Sequence, residues 1–72
     1  MMNQKNEIAF AIACVNDFAK TFQLKTKEAF QYLFQFKGIK FLKENYEIEH
    51  TLSIENVVED LSIFCRRHGG KL

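Results

Sequence analysis

The sequence contains no proline, only three glycines and only two cysteines among its 72 residues. With so few residues that interrupt a helix, the composition favours helices that end at glycine or at polar capping residues. The two cysteines, Cys14 and Cys65, form no Cys-x-x-Cys pair, and a single bridge would not be a disulfide framework. We therefore expect both to be reduced and buried as small apolar side chains of a cytoplasmic protein.

The sequence also lacks a long apolar run and a strong excess of either charge. The longest uncharged apolar run, "IAFAIACV", has eight residues, whereas a membrane-spanning helix needs about 20. The net charge of +1 predicts no general affinity for nucleic acid or for a membrane surface. The charges are nevertheless unevenly placed, because residues 1–43 carry seven lysines and three acids, while residues 44–65 carry six acids and no Lys or Arg.

The chain is rich in apolar residues, which make up 47% of it and include eight phenylalanines. A domain of this size buries only about 60% of its unfolded surface. Some phenylalanines should therefore lie on the outside, where they would form a surface for a protein partner.

Apolar residues at spacings of three and four predict a first helix from Asn6 to about Phe22. Its main face is formed by Ile8, Ala11, Ile12, Val15, Phe18, Ala19 and Phe22. Phe10 and Cys14 fall on a second apolar face, which a core this small does not require.

A second helix is predicted from an N-cap at Thr26 to about Lys37, with Gly38 as a left-handed stop. A short third helix follows over residues 39–45. In "YEIEH", residues 46–50, side chains alternate, so we expect an extended connector in which Tyr46, Ile48 and His50 point inward. The alternative is a strand that pairs with the same segment of another copy.

The last helix is predicted to start at a Ser53 cap and to end at Gly69. Its apolar stripe, which includes Val57, Leu61 and Cys65, is the cleanest in the chain. The predicted fold is a single all-α domain over residues 1–72. It is a compact bundle of three main helices plus one short helix, with the extended connector at 46–50.

No combination of polar residues forms a catalytic signature. His50 is better explained by a hydrogen bond to the backbone at a turn than by a role as a base or ligand. Cys14, His50, Cys65 and His68 could in principle bind zinc, but both cysteines lie in apolar runs and the spacing matches no known zinc motif. We therefore expect no enzyme activity, no metal and no cofactor.

The blocks "KEAFQYLFQFKGIKFLKENYEIEHT" and "SIENVVEDL" resemble a family of very short bacterial proteins that is known only as a domain of unknown function. The resemblance spans most of the chain, and its marked polar positions here are Tyr46, His50, Thr51 and Asp60. It implies a small, all-helical, cytosolic protein and supplies no catalytic residues. Some relatives are encoded beside toxins resembling ADP-ribosyltransferases, which suggests an adaptor or antitoxin role.

These observations favour a protein-interaction module, and one alternative function stays open. The alternative is a small DNA-binding regulator that uses Lys37, Lys40 and Lys43 around Gly38. We also expect a homodimer, because a second copy would cover surplus apolar surface and add stability. The candidate interface consists of Phe10, Cys14, Tyr46, Ile48 and His50.

Overall fold

The computed structural model describes residues 4–72, which form five helices and no β-strand. The helices are α1 (Gln4–Phe22), α2 (Thr26–Gln35), α3 (Gly38–Glu44), α4 (Tyr46–Glu49) and α5 (Ile54–Arg67). The predicted all-α class is therefore confirmed, although the chain has two short helices rather than one. None of the helices in this part of the chain is long and apolar enough to cross a membrane.

Helix α1 lies at the centre of the fold and packs against α2, α3 and α5. The buried apolar core is drawn from every helix except α4. It consists of Cys14, Val15, Phe18, Ala19, Ala29, Leu33, Leu42, Val57, Val58, Leu61 and Cys65. The stripe of α5 is buried as its 3.6-residue period predicts.

The inward face of α1 differs from the predicted one over its first three turns. Cys14 is fully buried, and Phe10 packs against the core, whereas Ile8 and Ile12 lie at the surface. Both sets of residues have helical spacing, so the sequence alone does not show which set faces the other helices. The surplus apolar face is therefore formed by Ile8 and Ile12, not by Phe10 and Cys14.

The predicted extended connector at residues 46–50 is wrong, because Tyr46–Glu49 is a short helix. The N–H of Glu49 donates to the carbonyl of Asn45 at 2.8 Å, and the N–H of His50 donates to that of Tyr46 at 2.9 Å. A lone strand would have left these backbone groups unpaired, whereas a helical turn satisfies them locally. The change also reverses the predicted orientation, since Glu49 is buried while Ile48 and His50 are exposed.

The N-cap of α2 and the turn between α2 and α3 differ from the sequence prediction, whereas the two ends of α5 agree with it. The N-cap of α2 is Lys25 rather than Thr26, and its backbone N–H donates to Glu28 Oε1 at 2.9 Å. Ser53 caps α5 as predicted, because its Oγ accepts from the N–H of Asn56 at 3.3 Å. Gly69, with φ of 103°, follows the end of α5 in the left-handed conformation, also as predicted.

The turn between α2 and α3 also differs from the sequence prediction. Lys37 has the left-handed conformation, with φ of 68°, and Gly38 is the first residue of α3. Close packing, rather than a left-handed conformation, favours glycine at position 38. A Cβ atom there would lie 2.9 Å from Leu33 Cδ2 and 3.0 Å from Cys65 Sγ.

This arrangement predicts opposite effects for two neighbouring substitutions. Lys37→Gly should raise the free energy of unfolding by about 0.5–1 kcal/mol, because glycine relieves the left-handed strain at some cost in entropy. Gly38→Ala should lower it by about 1–3 kcal/mol, because the new methyl group overpacks the contact with Leu33 and Cys65. Urea unfolding followed by circular dichroism measures both. An increase for Gly38→Ala would contradict the close packing at that position.

Candidate protein-binding surface

An apolar groove runs along α1 on the side that faces α2 and α3. Its main part encloses about 370 Å³. The residues that line it are Ile8, Ala11, Ile12, Val15, Asn16, Thr26, Lys27, Phe30 and Ile39. A smaller depression of about 170 Å³ continues it between α1 and α3 and adds Glu7, Leu42 and Lys43. Because the two share Ile8, Ala11 and Ile39, we treat them together as the apolar groove.

Large apolar side chains stand exposed at this groove. The exposed fractions are 59% for Ile8, 56% for Ile12, 47% for Phe30 and 68% for the neighbouring Phe34. The rings of Phe30 and Phe34 stack with centroids 6.0 Å apart, so one turn of α2 presents two aromatic rings to solvent. Exposed aliphatic and aromatic side chains that adjoin a concave surface are typical of protein-binding sites.

Helix geometry explains why these residues remain uncovered. Ile8 and Ile12, like Phe30 and Phe34, are four residues apart and so lie on one side of their helix. An adjacent side of α2, rotated by about 100°, already contributes Ala29 and Leu33 to the core. A helix cannot bury two faces against one small core, so the second apolar face is left at the surface.

The structure keeps only part of the predicted interface accessible. Cys14 is fully buried, so it cannot contact a partner of the folded chain. Phe10 is half-buried and meets the Tyr46 ring edge-on, with centroids 5.5 Å apart. Ile48 and His50 are exposed on α4 and its C-terminal end. Exposed phenylalanines were predicted from the sequence, but Phe30 and Phe34 were not identified among them. The signal that could have identified them is that α2 has more apolar residues than one helix face can hold.

His50 makes the backbone hydrogen bond that the sequence analysis favoured. Its Nδ1 lies 2.7 Å from the carbonyl oxygen of Tyr46 and must carry the proton, because a carbonyl can only accept. The imidazole ring also stacks on the Tyr46 ring. His68 repeats this arrangement with Phe64 at the end of α5. Both histidines thus complete helix ends.

The Thr51 hydroxyl also acts at a helix end. It donates to the carbonyl oxygen of Ile48, the third residue of α4, at 2.6 Å.

An acidic pair, buried Glu49 and half-buried Asp60, lies away from the groove, between α4 and α5. Glu49 is only 5% exposed, and its Oε1 has no hydrogen-bond partner. Burial, together with a hydrogen bond and the charge of Asp60, raises the pKa of Glu49 from 4.5 to about 7. A hydrogen bond between two carboxyl groups requires a proton on one of them, so the pair holds a proton at mildly acidic pH.

Neither cysteine has surroundings that would activate it. Burial raises the pKa of Cys14 to about 12, and the negative charges of Glu49 and Asp17 act in the same direction. Burial also raises the pKa of Cys65 to about 11. A thiolate nucleophile or metal ligand requires the opposite shift. Across residues 4–72, no three His, Cys, Asp or Glu side chains lie close enough together to hold a metal ion.

The lysines proposed for the alternative function are at the surface. Lys37, Lys40 and Lys43 are all exposed, at the start of α3 and along it. Lys43 also lines one end of the apolar groove.

Comparison with known proteins places the chain in a family. A family model described as "Protein of unknown function (DUF3791)" matches residues 9–68. The chain belongs to the DUF3791 family. No curated protein and no solved structure matches it. The DUF3791 match extends from the second turn of α1 to the C-cap of α5, so it covers every residue that lines the groove except Glu7 and Ile8.

Proposed function

We propose that this DUF3791 protein is a protein-interaction module and that the apolar groove is its contact surface. The observation that carries the proposal is the exposure of Ile8, Ile12 and Phe30 at one concave surface, with exposed Phe34 stacked beside Phe30. Leaving such side chains in water forfeits roughly 25 cal/mol for every Å² that a partner could cover. A partner that covers them would recover this free energy.

The wider biological role that we propose follows from the resemblance stated above. The protein would act in the bacterial cytoplasm as an adaptor or antitoxin-like partner of a protein encoded nearby. We propose no enzymatic role and no cofactor. The two buried thiols with raised pKa values support that proposal, because they lack the reactivity of a catalytic cysteine.

The test is capture of partners from the native cell with the chain and two matched variants. Ile12→Gln changes an exposed groove residue, and Ile63→Gln changes an exposed residue of α5 that does not line the groove. We expect at least one protein to be captured by the wild type and by Ile63→Gln but not by Ile12→Gln. Identical captured sets for all three would show that the groove is not the contact surface.

A homodimer is a separate proposal that uses the α4 surface. It is supported by Ile48, which is 66% exposed, beside His50 and the half-buried pair of Phe10 and Tyr46. We expect light scattering at high micromolar concentration to give the mass of two chains and Ile48→Glu to give that of one. A monomeric wild type under these conditions would refute the dimer.

The alternative function, DNA binding, is favoured only by the exposure of Lys37, Lys40 and Lys43. A duplex titration over a range of salt concentrations distinguishes it from the interaction module. Binding that persists near physiological salt and weakens in Lys40→Gln would support a regulator. Binding that disappears there would reflect only nonspecific phosphate contacts.

A further inference from the structure

We infer that the apolar groove receives an amphipathic helix with acidic flanks from another protein. The inference rests on the proposed function and adds the conformation and charge of the partner segment. It combines four observations: the length of the groove, the absence of a pairing edge, the charges at its two ends, and the burial of this chain's own acidic helix.

The groove has the length of a short helical segment. Its residues on α1 extend from Glu7 to Asn16. At a rise of 1.5 Å per residue this distance is about 14 Å, or roughly two and a half turns of helix. Apolar side chains at positions i, i+3 or i+4, and i+7 of a partner helix would fit this length.

A helix suits this surface better than an extended peptide does. Extended peptides that add a strand to a sheet edge take much of their affinity from main-chain hydrogen bonds. Residues 4–72 contain no strand, and the groove lining is almost entirely apolar. A helix already satisfies its own backbone groups, so it can bury an apolar face here without leaving them unpaired.

The charges around the groove favour an acidic partner. Lys27 lines one end and Lys43 lines the other, while Lys40 is exposed on the same short helix as Lys43. Glu7 is the one acidic residue among those that line the described groove. Acidic residues beside the apolar stripe of a partner helix would therefore meet lysines at both ends.

A second copy of this chain does not provide such a helix. Its own acidic amphipathic helix is α5, but Val57, Leu61 and Cys65 on the apolar stripe of α5 are fully buried in the core. Presenting that stripe to another copy would require the donor to unfold. Helix α4 is acidic too, but it is only four residues long and has a single exposed large apolar side chain, Ile48.

The peptide sequences that the groove prefers can be determined with a random peptide library displayed on phage. Peptides of about 14 residues are long enough to span the groove as a helix. The library is selected on the wild-type chain after depletion on Ile12→Gln. We expect enriched peptides to have apolar residues at helical spacing and an excess of Asp and Glu beside them. Enriched peptides that lack either property would overturn the inference.

Affinity measurements with the most enriched peptide then test the site residue by residue. Fluorescence anisotropy should show a loss of roughly tenfold or more for Ile12→Gln and for Phe30→Ser, with no change for Ile63→Gln. The double variant Lys27→Glu, Lys43→Glu should bind the peptide more weakly and prefer a version in which its Glu residues are replaced by Lys. Equal binding of the acidic and basic peptides would overturn the charge preference.

Two further outcomes separate this inference from the proposed function. If no peptide is enriched but groove-dependent capture from cells succeeds, the helical partner is wrong and the interaction module stands. If the wild type dimerises and Ile12→Gln does not, the groove binds a second copy, and the inference of a different partner is wrong.

Discussion

Replacing Leu61 with Ala should lower the free energy of unfolding by about 2–5 kcal/mol. Leu61 is fully buried on α5, in the core shared with α1, α2 and α3. Its truncation removes apolar contacts and leaves a cavity that the surrounding helices can only partly fill. A domain of 72 residues has a total stability of about 4–11 kcal/mol, so the loss could leave much of the protein unfolded. Thermal and urea unfolding, followed by circular dichroism, measure the effect.

Ile63→Ala is the matched control for this prediction. Ile63 lies two residues away on the same helix but is 36% exposed. Its truncation should therefore lower the free energy of unfolding much less than that of Leu61 does. The two changes are comparable because each removes the same number of carbon atoms. If the two variants lost similar stability, the inward orientation of Leu61 would be wrong.

Replacing Glu49 with Gln should remove a pH dependence of stability. The pKa of Glu49 in the folded chain is about 7, above its ordinary value of 4.5, so the folded state binds the proton more tightly than the unfolded state. The resulting stabilisation is complete below pH 4.5 and is lost as the pH rises through 7. Glutamine is neutral at every pH, and its amide can donate to Asp60. The free energy of unfolding of the variant should therefore be higher than that of the wild type by on the order of 1–3 kcal/mol at pH 8.

The informative quantity is the difference in free energy of unfolding between variant and wild type across the pH range, because carboxylates that do not interact with Glu49 affect both proteins equally. The difference should be small near pH 4.5 and grow towards pH 8. Glu47→Gln, an exposed change on the same short helix, should give a difference that stays small throughout. A Glu49→Gln variant that is less stable than the wild type at pH 8 would mean that the ionised carboxylate, not the protonated one, is favoured at this position.

The buried acid could not be found from the sequence. An alternating segment with two glutamates was expected to turn both of them to solvent. Once residues 46–49 form a helical turn, Glu47 and Glu49 no longer share an orientation, and contact with α5 buries Glu49 beside Asp60. A five-residue pattern fits both a strand and a helix, and only packing against the other helices selects one.

The sequence predicts that some apolar surface is exposed, but it does not predict where that surface lies. The number of phenylalanines for so small a chain indicates that some must be exposed, and Phe34 is 68% exposed. Their positions depend on the rotation of α1 and α2 about their own axes. In α1 the two apolar faces are offset by two residues, a rotation of roughly 200°, so they lie on nearly opposite sides of the helix. Local sequence therefore cannot decide between Phe10 with Cys14 and Ile8 with Ile12.

The sequence by itself determined the helical class, the cap at Ser53, the stop at Gly69 and the inward stripe of α5. Each of these depends on interactions within a few residues or on one unambiguous apolar face. Only the tertiary structure decided which face of α1 is buried, why glycine stands at position 38, and where the apolar groove lies. These features arise where separate helices meet, because the contacts that fix them join residues far apart in the chain.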